Sequence, residues 1–545
     1  MIPLGGVGEI GKNMTAIVFG DDIIVIDAGF MFPREEMLGV DYVIPDTTYL
    51  KKNREKIRAL FLTHGHEDHI GGIPYVSRDL EVPIYGSRLT IALVEAKLSE
   101  HPGRNVDFHT VKEGDKIDAG VFQVEYIRVS HSIDDAMGLA IKTPIGTIVH
   151  TGDFKVDLTP VGGKSIDLSR FAELGKRGVL ALLSDSTNAE RSGMTMSESQ
   201  VGATFSNYFE QAKGRIVVAS FSSNVHRIQQ VIDAAKMFNK KVCFSGRSML
   251  KIVGVTRELG YLNVDDDMVV TFDELKKLRD NQVVVVTTGS QGEEMSGLVR
   301  MATGHHAQFN IKEGDLVIIS ASPIPGNERY VSDVINMLFR RGANVINDAD
   351  DMVHVSGHGS QEELKLMMAL TKPKFFIPVH GEYRHLYKHA ALAEKMGISK
   401  KNIFIPEIGH VIEINRKVGV QKDTVASGSV LIDGLGIGDV GNVVLRDRKQ
   451  LSSDGLFIVV VTISAETGEP ILTPDVISRG FIYMKEAEEL LDEAKDIVSE
   501  TANSCYINGT SDWSTLKSGI KKALSNFLYE KTQRSPMILP VIIEV

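Results

Sequence analysis

The stretch LFLTHGHEDHIGG, Leu60 to Gly72, places three histidines and one aspartate within six positions, directly after an apolar run. The whole chain has only 16 histidines in 545 residues, so this local density is unusual. The apolar run predicts a buried strand, and the residues after it form a loop at the strand end. Strand ends in α/β proteins hold ligands, because side chains there leave the core while the sheet still fixes their positions.

The polar side chains of this loop offer imidazole nitrogen and carboxylate oxygen, which are donors that Zn²⁺ accepts. They are His64, His66, Asp68 and His69. Their spacing lets a tight loop turn them toward one point, which favours a metal site over a solvent-facing histidine cluster. One loop cannot supply two metals, so further donors are expected at other strand ends, where each candidate taken singly is also explained as a structural residue. The candidates are His131 in IRVSHS, Asp153 in TIVHTGDF and His380 in FFIPVHGEY.

Composition and charge limit the classes of protein to which the chain can belong. With 43% hydrophobic and 24% charged residues the chain is typical of a soluble globular protein, and its length predicts about two to four domains. It has no apolar run of about 18 residues and no basic-then-apolar start, so neither a membrane span nor a signal peptide is expected. A net charge of −11 requires any polyanion site to be local. Cys243 and Cys505 are too few for a disulfide framework or a thiolate zinc site and favour a reducing cytosol.

Two series of apolar strands alternate with amphipathic helices and Gly-rich turns, which predicts an α/β fold. The second series, between Gly214 and Ile346, alternates with helices such as Val225–Met237 and predicts a separate parallel sheet with crossover helices. The first series comprises DIIVID (Asp22–Asp27), IRALFLT (Ile57–Thr63), TIVHTG (Thr147–Gly152), VLALLSD (Val179–Asp185) and KFFIPVH (Lys374–His380).

After Glu413 the chain becomes Gly-rich and loses any helical period, which predicts a linker with a small strand pair. A compact tail is expected to follow. Its predicted elements are a strand at Leu456–Ile463, helices around Lys485–Ala502 and Leu516–Lys531, and a last strand at Met537–Val545.

The motifs around these candidates resemble those of a known family. HGHEDH resembles the HxHxDH signature of metallo-β-lactamase-fold hydrolases, and HTGD and VHGEY resemble its later metal motifs. LLSDSTN with Asp185, SGHGSQEE with His358 and IPVHGEY with His380 resemble the three motifs of the β-CASP branch, which acts on nucleic acids. Together with PLGGVGEIGKN, FSSNVHR, TTGSQGE, SASPIPGN and PDVISRGFIY, they cover essentially the whole chain and are similar to ribonuclease J.

The resemblance implies an α/β fold in which a metallo-β-lactamase αββα sandwich is split by an inserted β-CASP domain, a parallel sheet with flanking helices. The sandwich is expected at residues 1–205 and 346–425, and the inserted domain at 206–345. A linker at 426–449 and a small α+β C-terminal domain at 450–545 are expected to follow. The second strand series lies almost entirely within the inserted range, so the pattern and the resemblance agree.

The resemblance also implies two Zn²⁺ per chain. One would be held by His64, His66 and His131, the other by Asp68, His69 and His380, with Asp153 bridging them. Asp68, Asp185 and His358 are the expected catalytic residues, and His358, assisted by Asp185, would protonate or stabilise the leaving oxygen. Asp27 in VIDAG is expected to support the ligands rather than to bind a metal.

Two segments are expected to hold RNA phosphates. SFSSNVHRIQQ runs from a strand into a helix, whose first backbone N–H groups and dipole attract phosphate. HVSGHGSQEE offers a Gly-flanked anion nest before a capping box of Ser360 and Glu363. Ordinary helix capping is the alternative for both. The implied contacts are Ser223, Asn224, Val225, His354, Val355, Ser356, Gly357 and His358, with Arg227, Arg384 and Lys388 as candidate channel residues.

A further cation is implied by the resemblance alone. It is a structural Ca²⁺ held near Leu38, Val40 and Asp433. Without the resemblance, Asp433 in LIDGLG would be interpreted only as a turn aspartate.

The implied function is that of a zinc-dependent ribonuclease with 5′→3′ exonuclease activity, which prefers 5′-monophosphate ends, and with endonuclease activity. It would act in mRNA decay and rRNA maturation in the cytoplasm. Expected partners are RNA, further copies of the chain in a dimer or tetramer formed through the tail, and a paralogous subunit or RNA-degradation complex. Two alternatives stay open: another metal-dependent hydrolase on this fold, such as a glyoxalase- or lactonase-like enzyme, and a catalytically weak RNA-binding subunit of an active paralogue.

Overall fold

The computed structural model describes residues 1–101, 106–162, 164–293, 295–324, 327–482, 488–507 and 513–545. The described residues form two compact units, Met1–Met31 with Ile44–Val430 and Phe32–Val43 with Leu431–Val545. Within the ranges given, no helix combines the length and the apolar character that crossing a bilayer requires.

The first unit contains two six-stranded sheets that share an apolar core. Ile24 and Phe61 of one sheet and Tyr126 and Leu139 of the other are buried in it. Removal of these side chains from water is the main contribution that holds the sheets together. In spatial order the first sheet comprises Ile2–Gly5, Met14–Phe19, Asp22–Ile26, Ile57–Phe61, Ile84–Ser87 and Phe108–Val111. The second comprises Phe375–Val379, Val179–Asp185, Gly146–His150, Met137–Thr143, Phe122–Arg128 and Lys116–Ala119.

Helices cover the outer face of each sheet. Leu89 and Val94 pack against the first sheet, and Phe171 and Leu364 pack against the second. The longer helices of this part are Arg88–Leu98, Leu168–Arg177, Gln361–Thr371 and Tyr383–Lys395, and the shorter ones are Thr48–Lys52, Glu67–Ile70 and Ile73–Val76. The expected αββα sandwich is therefore confirmed.

A third sheet, of five parallel strands, forms the inserted part of the first unit. Strand Ile216–Ala219 lies in the middle of this sheet. The next two strands along the chain lie on one side of it, and the last two lie on the other side. Crevices for ligands form outside the carboxyl ends of strands where the order reverses in this way. In spatial order the strands are Lys241–Ser245, Val283–Thr287, Ile216–Ala219, Leu316–Ile319 and Asn344–Ile346. The helices are Ser199–Gln211, Val225–Met237, Arg247–Glu258, Phe272–Leu275, Gly297–Thr303 and Glu328–Arg340.

The second unit is built on a three-stranded sheet packed against two long helices. Alternate side chains of Leu456–Ile463 are buried, and Phe457 and Val459 share a core with Ile520 and Leu524. In spatial order the strands are Asp475–Arg479, Leu456–Ile463 and Met537–Glu544, and the helices are Glu488–Ile507 and Trp513–Thr532. The elements predicted for the tail are confirmed, and the predicted helix start at Lys485 lies outside the described residues.

The stretch predicted as a linker carries more structure than its composition indicates. Ser429–Asp433 pairs with Gly436–Ile437, which confirms the predicted small strand pair, and before it His410–Ile414 pairs with Gly419–Thr424. A helix, Asn442–Asp454, then begins inside the linker range. None of its residues is buried, and the sequence shows no helical period there. The linker prediction missed this helix.

Candidate metal centre and RNA-binding segments

Asp27 fixes the loop that carries the first donors. It follows strand Asp22–Ile26 with a φ of 59°, a left-handed conformation that costs a non-glycine residue about 1–2 kcal/mol. Its Oδ1 accepts a hydrogen bond from the Thr63 N–H at 2.8 Å, and its Oδ2 accepts one from the Thr63 hydroxyl at 2.8 Å. The same Oδ2 lies 2.8 Å from His69 Nδ1. Asp27 thus orients His69 and the loop start, which is the supporting role expected from the sequence.

Three histidines from two segments bring their ring nitrogens together. His66 Nδ1 lies 3.1 Å from His64 Nε2 and 3.0 Å from His131 Nε2. The outer nitrogens are held in place: His64 Nδ1 lies 3.0 Å from the Thr63 hydroxyl, and His131 Nδ1 donates to the Gly357 carbonyl at 2.7 Å. With their outer nitrogens engaged, His64 and His131 direct Nε2 to a common point.

A second group combines two histidines with two aspartates. His380 Nε2 lies 3.1 Å from Asp68 Oδ2 and 3.4 Å from Asp153 Oδ2. His69 Nε2 lies 3.2 Å from the same Asp153 oxygen. The φ of His380 is 55°, and its Nδ1 lies 2.6 Å from the Thr187 hydroxyl. A left-handed non-glycine residue costs conformational energy and is typical of functional sites.

One oxygen of Asp153 is common to both groups. Its Oδ2 lies 3.6 Å from His64 Nε2 and 3.8 Å from His131 Nε2, in addition to its contacts with the second group. Burial opposes the ionisation of Asp153, but His380 and His69 nevertheless hold its pKa well below the usual range. Asp153 is therefore a buried carboxylate placed between two sets of imidazoles.

The spacing of these donors fits divalent metal ions. Tetrahedral ligands at about 2.0–2.1 Å from a zinc ion lie about 3.3 Å from one another, which is close to the contacts above. The donor atoms of each group lie within 4.8 Å of one another. Burial and neighbouring histidines lower the pKa values of His64 and His131 well below the usual histidine value. Both imidazoles are therefore neutral, the form that binds a metal, and the donor set fits a divalent metal site.

His358 and Asp185 form a pair beside both groups. His358 Nδ1 lies 2.8 Å from Asp185 Oδ2, and the His358 ring centroid lies 5.0 Å from that of His131 and 5.3 Å from that of His380. Asp185 Oδ1 accepts hydrogen bonds from the Thr187 N–H and hydroxyl at 2.9 and 2.8 Å. Burial lowers the pKa of His358, but Asp185 outweighs this effect, and the pKa lies above the usual value. The pair therefore favours a protonated ring beside the clustered donors.

Arg227 joins the two segments expected to bind phosphate. It is fully buried, donates from Nε to Glu198 at 3.0 Å, and donates from Nη1 to the Val353 carbonyl at 2.6 Å. The prediction that Arg227 lines a channel was wrong, because a guanidinium with no exposed surface and a buried carboxylate partner cannot face RNA. Its contacts instead hold the start of helix Val225–Met237 against the residue that precedes His354–His358.

Asn224 has the capping role that was the alternative for its segment. Its Oδ1 accepts a hydrogen bond from the Arg227 N–H at 3.0 Å, and the residue is buried. Ser223 is partly exposed beside it, and Val225 begins the helix. The first turn of the helix, with its N–H groups and dipole, is therefore what this segment offers an anion, rather than the Asn224 side chain.

The segment His354–His358 forms a turn beside the group of His64, His66 and His131. A Cβ on Gly357 would lie 2.7 Å from His131 Cε1, so only glycine fits there without displacing the histidine. Val355 is buried in the core of the inserted domain. His354 Nδ1 is buried and has no hydrogen-bond partner among the residues that the structure describes.

Arg384 and Lys388 are exposed on helix Tyr383–Lys395, shortly after His380. Arg384 donates to Glu382 at 2.8 Å and also pairs with Glu190. Two carboxylates offset the charge of Arg384, so it offers a polyanion less attraction than its exposure suggests. Lys388 keeps the exposed position expected of a channel residue.

The residues expected to hold a structural Ca²⁺ come together, but an arginine stands among them. Arg448 Nη1 donates to the Leu38 carbonyl at 2.8 Å, and Nη2 donates to Asp433 Oδ2 at 2.5 Å. A Cβ on Gly39 would lie 2.7 Å from Nη1, which shows how closely the guanidinium fits the loop that ends at Val40. A calcium ion and a guanidinium cannot share one position. The residues present therefore do not fit the expected Ca²⁺.

Four polar residues that hold the donors in place were missed by the sequence analysis. They are Asn13, Thr63, Thr187 and Asn188. Asn13 Nδ2 donates to the Asp68 carbonyl at 3.0 Å, and Asn188 Nδ2 donates to Ser356 Oγ and to the His358 carbonyl at 2.8 Å each. All four lie inside the motifs PLGGVGEIGKN, LFLTHGHEDHIGG and LLSDSTN. Their hydrogen-bonding side chains inside these motifs were the signal that could have found them.

Four family models match the chain. Residues 7–160 match the metallo-beta-lactamase superfamily, and residues 344–406 match the Zn-dependent metallo-hydrolase RNA specificity domain. Residues 213–338 match the ribonuclease J beta-CASP domain, and residues 443–545 match the ribonuclease J C-terminal domain. A crystal structure of a protein of unknown function from Enterococcus faecalis V583 has a TM-score of 0.54 at 17% identity, covers 77% of this chain and 99% of that chain, and supports the fold alone.

Curated relatives match over the full length. Ribonuclease J2 of Bacillus subtilis strain 168 is 46% identical over 549 residues, with 100% of this chain and 98% of the relative covered. Ribonuclease J 1 of Streptococcus pyogenes serotype M3 is 44% identical over 541 residues, with 99% and 96% covered. Ribonuclease J 2 of Staphylococcus aureus strain MRSA252 is 41% identical over 549 residues, with 100% and 98% covered. The chain belongs to the ribonuclease J family.

Proposed function

We propose that the chain is a zinc-dependent ribonuclease that hydrolyses RNA phosphodiester bonds, with 5′→3′ exonuclease and endonuclease activity in mRNA decay and rRNA maturation. One observation carries the proposal: donors from the His64–His69 loop, His131, Asp153 and His380 meet around one Asp153 oxygen. A metal-dependent nuclease needs such a site. The relatives named ribonuclease J support RNA as the substrate.

Two Zn²⁺ per chain are proposed. Their ligands would be His64, His66 and His131 for one, Asp68, His69 and His380 for the other, and Asp153 between them. When bound, they would supply positive charge for the phosphate oxygens and lower the pKa of the attacking water. Asp68, with 29% of its side chain exposed, is placed to orient that water. Asp27, Thr187 and the Gly357 carbonyl orient the ligand histidines through their outer nitrogens.

His358 is proposed to protonate the leaving oxygen of the RNA. Asp185 engages Nδ1, which leaves Nε2 as the nitrogen that can deliver a proton to the substrate. Asp185 also raises the pKa of His358 against the effect of burial, which favours the protonated ring that a proton donor needs. Thr187 donates two hydrogen bonds to Asp185 and so fixes the carboxylate that orients the ring.

The 5′-terminal phosphate of the RNA is proposed to lie in a pocket between the helix start at Ser223–Val225 and the segment His354–His358, and internal cleavage is proposed to bypass this pocket. The helix start follows the carboxyl end of strand Ile216–Ala219, where the strand order reverses and ligands of such sheets bind. With a net charge of −11, phosphate binding would depend on these local groups rather than on a broad basic surface.

The exonuclease rate is expected to depend on the group at the 5′ end of the RNA. A pocket of N–H donors suits a monophosphate, whereas a 5′-hydroxyl leaves buried donors unpaired at about 1–3 kcal/mol each. A triphosphate brings additional charge without matching cations. Single-turnover degradation should be fastest on 5′-monophosphate RNA and slower by about 10-fold or more on the hydroxyl and triphosphate forms.

Ser223→Phe tests the same pocket from the protein side. The bulky side chain should lower the exonuclease rate by about 10-fold or more through misplacement of the end phosphate. Cleavage of a circular RNA, which has no end to bind, serves as the internal control and should stay near the wild-type rate. Equal exonuclease rates on all three RNA ends would mean that these segments do not bind the terminal phosphate.

The two alternative functions predict different results for metal content and RNA cleavage. A small-substrate hydrolase would hold zinc without cleaving RNA, and an RNA-binding subunit would bind RNA with neither metal nor cleavage. The inserted domain counts against the first, because a small substrate needs no second domain. The two complete donor groups count against the second. Metal content and RNA cleavage, measured on one preparation, distinguish the three functions.

Self-association is proposed for the C-terminal domain. The face of its sheet opposite the helices carries Ile477, Leu539 and Ile543, whose side chains are 38%, 50% and 44% exposed. Such an apolar face favours association, and a second copy of the chain is the proposed cover, in a dimer or tetramer. A cytoplasmic location, with a paralogous subunit or RNA-degradation complex as partner, is also proposed, and both cysteines are free, as a reducing compartment requires.

A further inference from the structure

Two consecutive aspartates contact the inserted domain from the loop that follows His131. Asp134 Oδ1 accepts a hydrogen bond from His226 Nε2 at 2.8 Å, and Asp135 Oδ2 accepts one from the Tyr261 hydroxyl. The proposed metal ligand His131 precedes Asp134 by only three residues. The loop therefore joins the metal centre to the inserted domain over a very short stretch of chain.

The two contacts reach different parts of the inserted domain. His226 is the second residue of helix Val225–Met237, so Asp134 holds the helix start that carries the proposed phosphate contacts. Tyr261 follows helix Arg247–Glu258, which packs on the sandwich. The first contact holds the proposed phosphate-binding segment itself. The second holds a part of the inserted domain farther along the chain.

The Asp134–His226 pair is built as a fixed contact rather than a surface ion pair. The two side chains are 19% and 13% exposed, so water screens their interaction little. A Cβ on Gly162 would lie 3.3 Å from both Asp134 Oδ1 and His226 Nε2, so a third segment covers the pair. Asp135 holds a left-handed φ of 58°, an unfavourable conformation that persists where surrounding contacts require it.

We infer that Asp134 and His226 are positioning residues that set the distance between the metal centre and the phosphate-binding helix start. The inference rests on the proposed function, because an enzyme that removes nucleotides from a 5′ end must hold the end phosphate at a fixed distance from the reacting phosphorus. Internal cleavage has no end to hold. Loosening the pair therefore affects exonuclease activity more than endonuclease activity.

The test compares Asp134→Ala, His226→Ala and His226→Gln on two substrates, a linear 5′-monophosphate RNA and a circular RNA. Both alanine variants are expected to lower kcat/KM on the linear RNA by about 10- to 100-fold and to leave cleavage of the circular RNA within about 2-fold. A glutamine side-chain amide can donate to Asp134 in place of the imidazole Nε2, so His226→Gln should recover most of the activity. The double alanine variant should be no less active on the linear RNA than the less active of the two single alanine variants.

Lys236→Ala is the matched control, since Lys236 lies on the same helix and forms an exposed ion pair with Asp265. Equal losses on linear and circular RNA, or no loss on either, would overturn the inference. A wild-type protein that cleaves neither RNA would instead contradict the proposed function. Metal content and thermal melting, measured on every variant, identify a protein that has lost its fold, and the comparison is then made between the folded alanine variant and His226→Gln.

Arg448 supports a second inference, from a separate observation. We propose that its guanidinium replaces a divalent ion as the cation that joins the loop at Leu38 to Asp433. The side chains of Arg448 and Asp433 are 32% and 30% exposed, so the pair is partly shielded from water. Arg448 belongs to helix Asn442–Asp454, which buries no side chain, so polar contacts such as this one hold the helix in place.

Calcium binding and thermal melting of the zinc-loaded protein test this proposal. The wild type should retain no Ca²⁺ after dialysis, and Ca²⁺ should not change its melting temperature. Arg448→Gln should lower the melting temperature of this unit by about 2–4 °C, and Ca²⁺ should restore it. Ca²⁺ should have no effect on the double variant Arg448→Gln, Asp433→Asn, and Mg²⁺ serves as the control for ionic strength. One Ca²⁺ per wild-type chain, or an Arg448→Gln variant that Ca²⁺ leaves unchanged, would overturn the proposal.

Discussion

In Asp153→Ala, metal content and RNA cleavage are expected to fall together, and cleavage should decrease by about 10³-fold or more. The Asp153 Oδ2 atom lies between 3.2 and 3.8 Å from the inner nitrogens of four histidines, two from each donor group. Its removal would take away the proposed shared ligand and the negative charge that would offset the proposed cations. Elemental analysis and single-turnover cleavage, carried out on the same preparation, measure both effects.

Asp118→Ala is the matched control for this prediction. Asp118 is an exposed aspartate on the outermost strand of the sheet that carries Asp153's loop, and its variant should keep both metal and activity. Near-normal turnover of an Asp153→Ala protein shown to be free of wild-type enzyme would end the bridging assignment.

His358→Ala is expected to keep the two proposed zinc ions and to lose about 10²–10⁴ in the rate of cleavage, the contribution of one proton-transfer group. The ring is held by Asp185 at 2.8 Å and faces the clustered donors without belonging to either proposed ligand set. Its loss would leave the proposed ligands in place but would remove the proposed proton donor of the leaving oxygen. Metal analysis together with single-turnover cleavage separates these two consequences.

The competing role for His358 is that of a ligand, since its donor atom lies within 4.8 Å of those of Asp153, Asp185 and His380. A variant that loses one zinc would assign that role and would make the proton-transfer proposal wrong. His109→Ala, which alters an exposed histidine of strand Phe108–Val111, controls for nonspecific loss of metal.

The fold was predictable where the sequence pattern is local. The strand Val179–Asp185 and the helix Val225–Met237 have the predicted bounds, because the apolar run of the strand and the period of the helix are complete within each segment. Helix Asn442–Asp454 was missed, because it buries no side chain and its sequence shows no helical period of apolar residues. Its position depends on polar contacts with distant residues, such as the bond from Arg448 to the Leu38 carbonyl, which no window of the sequence contains.

The donors of the candidate site were predictable from the sequence, but the contacts around them were not. His64, His66, Asp68 and His69 share one motif. The distant His131, Asp153 and His380 were candidates by their positions at strand ends, and the resemblance assigned them to two metal ions. The surroundings were not predictable. Arg227 follows a helix start and was expected at the surface, but Glu198, which lies outside its motif, forms a buried ion pair with it. Likewise the cation of the Leu38 and Asp433 site is a side chain that stands 410 residues from Leu38.

Timed product analysis on RNA that carries a labelled 5′-monophosphate tests the central claim most directly. The enzyme would be assayed as purified, after metal removal by chelation, and after zinc is restored. The account predicts that the labelled mononucleotide is the earliest product, with internal fragments beside it, that chelation abolishes all products, and that zinc restores them in the same order. Intact RNA in the presence of two bound zinc ions, or unchanged cleavage by the metal-free protein, would contradict it.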